Sequence, residues 1–277
     1  MIYGAKEFTL KTDAAEMLCV SFGKGERPLV IIPGLSLRSI KGMAVPLAYM
    51  YRIFARDFKV YVFDRRNNVP DGFTVENIAE DIAAALETLG IQKADVFGVS
   101  QGGAAAQYLA VRNPQLVRTL TLGVTYSRLN DTVTNVVGGW IKMTEDKEFE
   151  AVVMDMLPKM YSDSYIKKYE RLLPVLSKFT KLEDPNRFIT LAKACLTCDI
   201  YGELEKISCP VFVIGGKCDK VVTGKASLEI AEKLGHDKCE IFMYDGLGHA
   251  AYEEAKDFNQ RVLDFIMRSS PEKYRIT

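Results

Sequence analysis

Histidine is nearly absent from this chain: 277 residues hold only His236 and His249. Two imidazoles give little from which to build a histidine-rich metal centre, and any proton transfer that uses histidine must use one of them. Net charge is missing too, with 36 basic residues balancing 36 acidic ones. That removes the global field that recruits nucleic acid, an anionic membrane or a highly acidic substrate. The expected partner is a small, neutral or weakly charged molecule, with no nucleic acid and no membrane; oligomeric state leaves no trace. No apolar run approaches the roughly 20 residues of a bilayer span. Lys6 and Glu7 stand near the start with no apolar stretch behind them, so no secretory leader is expected and the reading is cytoplasmic.

A disulfide framework is also missing. The six cysteines (Cys19, Cys195, Cys198, Cys209, Cys218 and Cys239) are scattered through a chain too large to need staples, so reduced thiols are expected. Cys195 and Cys198 form a Cys-x-x-Cys, but no second pair accompanies it, and apolar packing is preferred to a metal or redox role. No metal and no cofactor is expected.

What is present is ordinary globular material, 48% hydrophobic and 26% charged, in an amount that suits one large α/β domain with an insertion. Short apolar runs alternate with amphipathic stretches, the pattern of a parallel sheet with crossover helices. The runs are Leu29 to Ile32, Val60 to Phe63, Asp95 to Val99, Leu120 to Val124, Val211 to Ile214 and Glu240 to Tyr244. A leading hairpin is expected around Phe8 to Leu10 and Met17 to Ser21. Thr74 can cap a helix with Ile78, Ile82, Leu86 and Leu89 on one face, and Gly90 can end it. Another helix should begin after Ser100 and stop at Asn113-Pro114, and a last one carries Phe258, Val262, Phe265 and Ile266. Between about Ser127 and Tyr201 strand signals vanish and helical spacing replaces them, punctuated by Pro158, Pro174 and Pro185, with Ile166, Tyr169 and Leu173 on one face. The expected organisation is a core over 1–126 and 201–277, with a helical cap inserted at 127–200.

Chemistry is concentrated in Gly98-Val-Ser100-Gln101-Gly102, a Gly-x-Ser-x-Gly at a strand-to-helix junction. Glycines flank the serine because a side chain there would collide with the adjoining strand or helix. The sharp turn lifts the hydroxyl above the sheet edge, beside amides of a helix start. A serine hydroxyl needs a base to take its proton. His249, in the loop after the last strand, is preferred to His236, which follows Leu234-Gly235 at a helix end. The base needs a carboxylate to fix its tautomer. Asp219 is the best candidate, because it lies just past the carboxyl end of the Val211 strand, where open α/β sheets build their sites; Asp245 and Asp64 compete.

Taken in order, Gly98-Val-Ser100-Gln101-Gly102, the stretch Cys209-Pro210 through Asp219, and Gly248-His249 resemble the serine, acid and histidine regions of the α/β-hydrolase family, over about Leu29 to Ile266 outside the cap. That resemblance implies an α/β-hydrolase fold, a mostly parallel central sheet flanked by helices. It implies Ser100 as nucleophile, His249 as base and Asp219 as acid. It also implies an oxyanion hole made by the backbone N–H groups of Leu35 and Gln101, with the Ser36 hydroxyl as a further candidate donor. Two departures stand out: Pro33-Gly34 replaces the family's frequent His-Gly, and Asp64-Arg65-Arg66-Asn67-Asn68-Val69-Pro70 replaces a glycine-rich Asp-x-x-Gly-x-Gly-x-Ser loop.

The leading functional expectation is a serine hydrolase that cleaves a small acyl substrate, a carboxylic ester first, through an acyl-enzyme on Ser100. The same triad would serve a carbon–carbon bond, lactone or amide hydrolase, and a non-catalytic ligand-binding homologue is the reading from another class. Ser36, Trp140, Met143, Met154, Met156 and Met160 are the candidate pocket residues, flexible or apolar groups of the kind that line acyl sites.

Overall fold

The computed structural model describes residues 2–170 and 182–269. Eight strands form one sheet: β1 (Lys6–Lys11), β2 (Glu16–Phe22), β3 (Arg27–Ile32), β4 (Phe58–Arg66), β5 (Ala94–Val99), β6 (Val117–Gly123), β7 (Val211–Gly216) and β8 (Cys239–Tyr244). Their spatial order is β1-β2-β4-β3-β5-β6-β7-β8. The leading hairpin β1 and β2 joins β4 antiparallel, and every later pairing is parallel. All eight expected strands are found.

The central strands are apolar on both faces because helices cover both. In β3, Val30 and Ile32 enter one core, whereas Leu29 and Ile31 enter the other. The first core is closed by α2 (Val75–Thr88) and α3 (Gln101–Arg112), through Ile78, Ile82, Leu86 and Leu109. Opposite it, Tyr51, just after α1 (Ala44–Met50), and Phe258, at the start of the last described helix, pack on Phe97, with Phe258, Val262, Phe265 and Ile266 all buried. Thr74 caps α2 as expected: its hydroxyl accepts from Asn77 N–H at 3.1 Å, and the Asn77 side chain accepts from Thr74 N–H at 3.0 Å. This reciprocal pair satisfies two otherwise orphan donors.

Between β6 and β7 the described residues contain four α-helices, α4 (Asp131–Glu145), α5 (Phe149–Met160), α6 (Asp163–Tyr169) and α7 (Pro185–Cys195). One isolated bridge, Arg128 with Asp199, pins the two ends of this segment. Pro158 lies inside α5, two residues before its end, instead of stopping it. Leu173 and Pro174, part of the same helical expectation, lie outside the described residues. Three further α-helices follow among the described residues: α8 (Gly224–Leu234), α9 (Ala251–Glu254) and α10 (Phe258–Ser269). Among the described residues no helix is long and apolar enough to cross a membrane.

One strand outruns its hydrophobic signal. β4 continues through Asp64, Arg65 and Arg66, three charged residues that periodicity alone cannot assign to a sheet. All three have tertiary partners: Arg66 forks onto Asp81 of α2, Asp64 accepts from the N–H of Ile40, and Arg65 donates to the neutral oxygens of Pro33 and Gln101.

Candidate active site

Ser100 sits between β5 and α3 at φ 53, ψ −122, a positive φ that is costly for any residue with a Cβ and that persists only where its surroundings enforce it. Those surroundings are two glycines and a neighbouring turn. A Cβ on Gly98 would lie 2.4 Å from the Gly102 carbonyl oxygen, and one on Gly102 would lie 2.0 Å from that of Ile32. The Ser100 carbonyl accepts from the Thr125 hydroxyl at 2.6 Å, and the Ser100 N–H donates to Gly123 O at 2.9 Å. Because the obstacles are main-chain atoms that cannot step aside, Gly102→Ala is expected to destabilise the fold by more than about 3 kcal/mol. Thermal denaturation and soluble yield would read this, and an unchanged melting temperature would contradict the packing.

His249 lies in the loop between β8 and α9, only 3% exposed. Its Nε2 is 3.0 Å from Ser100 Oγ, and its Nδ1 is 2.8 Å from Asp219 Oδ2. Asp219 follows β7, and its other oxygen accepts from the N–H groups of Val221 and Val222 at 2.8 and 2.9 Å. Both carboxylate oxygens are thus occupied, which fixes the direction offered to the histidine. The acid and histidine loops meet because Gly216 has no side chain: a Cβ there would lie 2.2 Å from Leu247 O. Cys218 N–H then donates to Leu247 O at 3.0 Å. The helical segment holds the histidine loop from above, with Ala250 N–H donating to Met160 O at 2.7 Å and the Glu254 carboxylate accepting from Ser162 N–H at 2.9 Å.

The competing residues are elsewhere. His236 is exposed beyond α8. Asp245 is 87% exposed and paired with Lys217. Asp64 is occupied by the Ile40 N–H and by Arg187 at 3.4 Å.

Gln101 opens α3, so its N–H has no helical carbonyl behind it. The turn carrying Leu35 lies against the serine, since a Cβ on Gly34 would be 3.1 Å from Ser100 Cβ and 3.7 Å from its Oγ. The side chain of Gln101 points away from the cavity: it is 1% exposed, its Nε2 donates to Leu191 O at 2.6 Å, and its Oε1 accepts from Arg65.

A cavity of about 380 Å³ opens over Ser100 and His249. Trp140, Met156 and Met160 line it, together with Val133, Val137 and Val153, and Ser36 stands at its rim. Two expected pocket residues do not. Met154 is 41% exposed on the outer side of α5, and Met143 lies one turn beyond Trp140 on α4, packed on the main core instead. The Trp140 indole N–H donates to Asp155 at 2.8 Å, which leaves the ring as apolar wall. Sequence reasoning missed Val221, Val222, Tyr161 and Tyr252, which also line the cavity. The residues at 221 and 222 could have been found from the acid they follow, because a loop that positions Asp219 must also face the serine.

Cys195 reaches the cavity wall, where its thiol accepts from Gln101 Nε2 at 3.2 Å, while the Cys198 thiol points at Tyr126 O. Burial pushes the Cys195 thiol up to about 11 and those of Cys19, Cys198 and Cys239 to about 12. Cys218 is exposed. Because the thiolate is the nucleophile, iodoacetamide at neutral pH is expected to alkylate Cys218 well ahead of the other five. Peptide mapping would check this, and comparable labelling at Cys195 would mean that the cavity wall is open. Among the described residues no group of three histidine, cysteine or acidic side chains is placed to hold a metal ion.

Comparison with known proteins agrees with this architecture. The chain is 26% identical to the "Putative carbamate hydrolase RutD" of Stutzerimonas stutzeri, over 76% of this chain and 82% of that one. It is 21% identical to 3-oxoadipate enol-lactonase 2 of Acinetobacter baylyi, over 92% and 94%. The crystal structure of the enol-lactonase from Burkholderia xenovorans superposes with a TM-score of 0.80 at 21% identity, covering 94% of this chain and all of that one. The profile of the alpha/beta hydrolase fold matches residues 27–256, and the chain belongs to that family.

Proposed function

We propose that this protein is a serine hydrolase that cleaves a small, largely neutral acyl substrate, a carboxylic ester first, through an acyl-enzyme on Ser100. The observation that carries the reading is the unbroken line Ser100 Oγ, His249 Nε2, His249 Nδ1, Asp219 Oδ2, with steps of 3.0 and 2.8 Å. In this reading His249 takes the serine proton as Oγ attacks the carbonyl, then hands it to the leaving alcohol. Water, deprotonated by the same nitrogen, releases the acid. Asp219 holds the imidazole with its proton on Nδ1, so that Nε2 is the free acceptor. The N–H groups of Leu35 and Gln101 receive the oxyanion, each such donor being worth about 3 kcal/mol in related sites.

The cavity supports an uncharged acyl group. Its walls are apolar, and its charged side chains, Arg38 and Glu253, are exposed. Residues 127–200 act as a cap over a core formed by 1–126 and 201–277, a reading supported by the part of the apolar wall that α4 and α5 supply. Balanced charge and buried thiols suit work in the cytoplasm. A lactone is the second substrate reading, favoured by the enol-lactonase names of two relatives that cover nearly the whole chain.

A fluorophosphonate probe tests the chemistry. Labelling of the wild type that is blocked by Ser100→Ala is the expected result. A folded wild type that stays unlabelled would favour a ligand-binding homologue.

A further inference from the structure

The turn that carries Leu35 has open space behind it. A second cavity, of about 500 Å³, lies on its far side, and residues 34–38 line both cavities. A loop that must hold an N–H to within a few tenths of an ångström therefore borders two cavities, although Leu35 and Leu37 pack on the main core. Its far end is tied by acidic side chains, Ser39 N–H to Glu183 at 3.2 Å and Ile40 N–H to Asp64 at 3.0 Å. Its near end, next to the serine, is held differently.

Arg65 reaches from the end of β4 and donates from Nη2 to Pro33 O at 2.5 Å. The same guanidinium donates to Gln101 Oε1, from Nη2 at 3.1 Å and from Nε at 3.3 Å. Pro33 precedes the Leu35 turn, and Gln101 supplies the other oxyanion donor through its own backbone. One planar group thus spans the two halves of the oxyanion hole, and Gln101 Nε2 carries the link on to Leu191 O in α7.

The geometry points to Arg65 as a positioning residue that sets the separation of the Leu35 and Gln101 amides and so tunes transition-state binding. This rests on the serine-hydrolase reading above. The energetics make a purely passive role a poor bargain. Arg65 is 5% exposed, and all three of these bonds go to neutral oxygens. Burying a cation without a carboxylate in direct contact is costly. Burial pushes its guanidinium down to about 10, opposed by nearby Asp64, so it keeps its charge at neutral pH. A fixed positive charge behind an oxyanion site also adds to the field that stabilises the developing oxygen. The position falls in the Asp64–Pro70 stretch where the chain departs from the family's glycine-rich loop. There Arg187 of α7 donates to the Arg65, Arg66 and Asn67 carbonyls, holding the strand end from which Arg65 projects.

The test compares Arg65→Met, Arg65→Lys, Gln101→Leu and the double Arg65→Met/Gln101→Leu for kcat, KM, fluorophosphonate labelling rate and melting temperature, with a short-chain aryl ester. Arg65→Met is expected to lower kcat and labelling rate by about 10- to 100-fold with KM within about twofold, less than the loss of a whole oxyanion donor. Arg65→Lys, which keeps the charge and a donor for Pro33 O, is expected to recover most of that loss. Gln101→Leu keeps its backbone N–H, should lose kcat in the same direction, and should be non-additive with Arg65→Met. If Arg65→Met does not fold, Gln101→Leu decides by the same kcat and KM criteria. A kcat within about twofold of wild type, or a loss in kcat matched by a rise in KM, overturns the proposal. Failure of the underlying reading looks different: Ser100→Ala would then hydrolyse the ester as fast as the wild type.

Discussion

Ser100→Ala should lower kcat/KM for a short-chain aryl ester by at least about 10⁴-fold, the scale on which removal of the nucleophile silences other serine hydrolases, while leaving the fold in place. The two halves of this expectation have separate origins. Strain at Ser100 belongs to the backbone, at φ 53, and alanine carries the same Cβ, so the elbow neither relaxes nor tightens. What is lost is one oxygen whose side-chain partner is His249 Nε2 at 3.0 Å. That nitrogen faces the cavity, where water can replace the hydroxyl, so the melting temperature should move by no more than a few degrees. Turnover has no such substitute. Attack by water without an acyl-enzyme would have to be aligned by the oxyanion donors alone, which leaves only a residual rate. Wild-type turnover in the variant would sink the serine-hydrolase reading outright.

The sheet was legible because its strands are buried on both faces and read as short apolar runs between turn residues, and the elbow because glycine is required on both sides of a strained serine. Less visible was the end of β4. Asp64, Arg65 and Arg66 look like loop residues in a sequence, and only tertiary partners on α1's leading loop, α2 and α7 give them a reason to be in a strand. The pocket was half legible for a geometric reason. On α5, Val153, Met156, Leu157 and Met160 follow the helical repeat and face the cavity, whereas Met154 stands about 200° from Met156 and must face away. Spacing therefore contained the answer for Met154. It did not for Met143, which shares the stripe of Val133, Val137 and Trp140 but sits one turn too far along, a distinction that only the position of the cavity can make. Arg65 lay beyond sequence reasoning altogether, because its role depends on two carbonyl oxygens 32 and 36 residues away in the chain.

Asp219→Asn should reduce kcat by about 10³- to 10⁴-fold, with KM and stability little changed, the signature of an imidazole held in the wrong tautomer. The local hydrogen bonds explain why the amide cannot stand in. Oδ1 of Asp219 accepts from two backbone N–H groups, those of Val221 and Val222, so an asparagine there must keep its carbonyl oxygen on that side. Its NH₂ then faces His249 Nδ1, which has to become the acceptor. The ring proton moves to Nε2, the atom that should receive the proton of Ser100, and the base is blocked while every heavy atom stays in place. Asp219→Ala separates orientation from scaffolding, because it also strands the two loop N–H groups and should lower the melting temperature by several degrees more than the asparagine variant does. Asp245→Asn is the control: that carboxylate is exposed and paired with Lys217, and its replacement should leave kcat within about twofold. If Asp219→Asn were to fall less than tenfold while Asp245→Asn collapsed, the orienting acid would have to be reassigned to Asp245, four residues before the histidine. In that case the bond of 2.8 Å between Asp219 and His249 would serve loop structure alone.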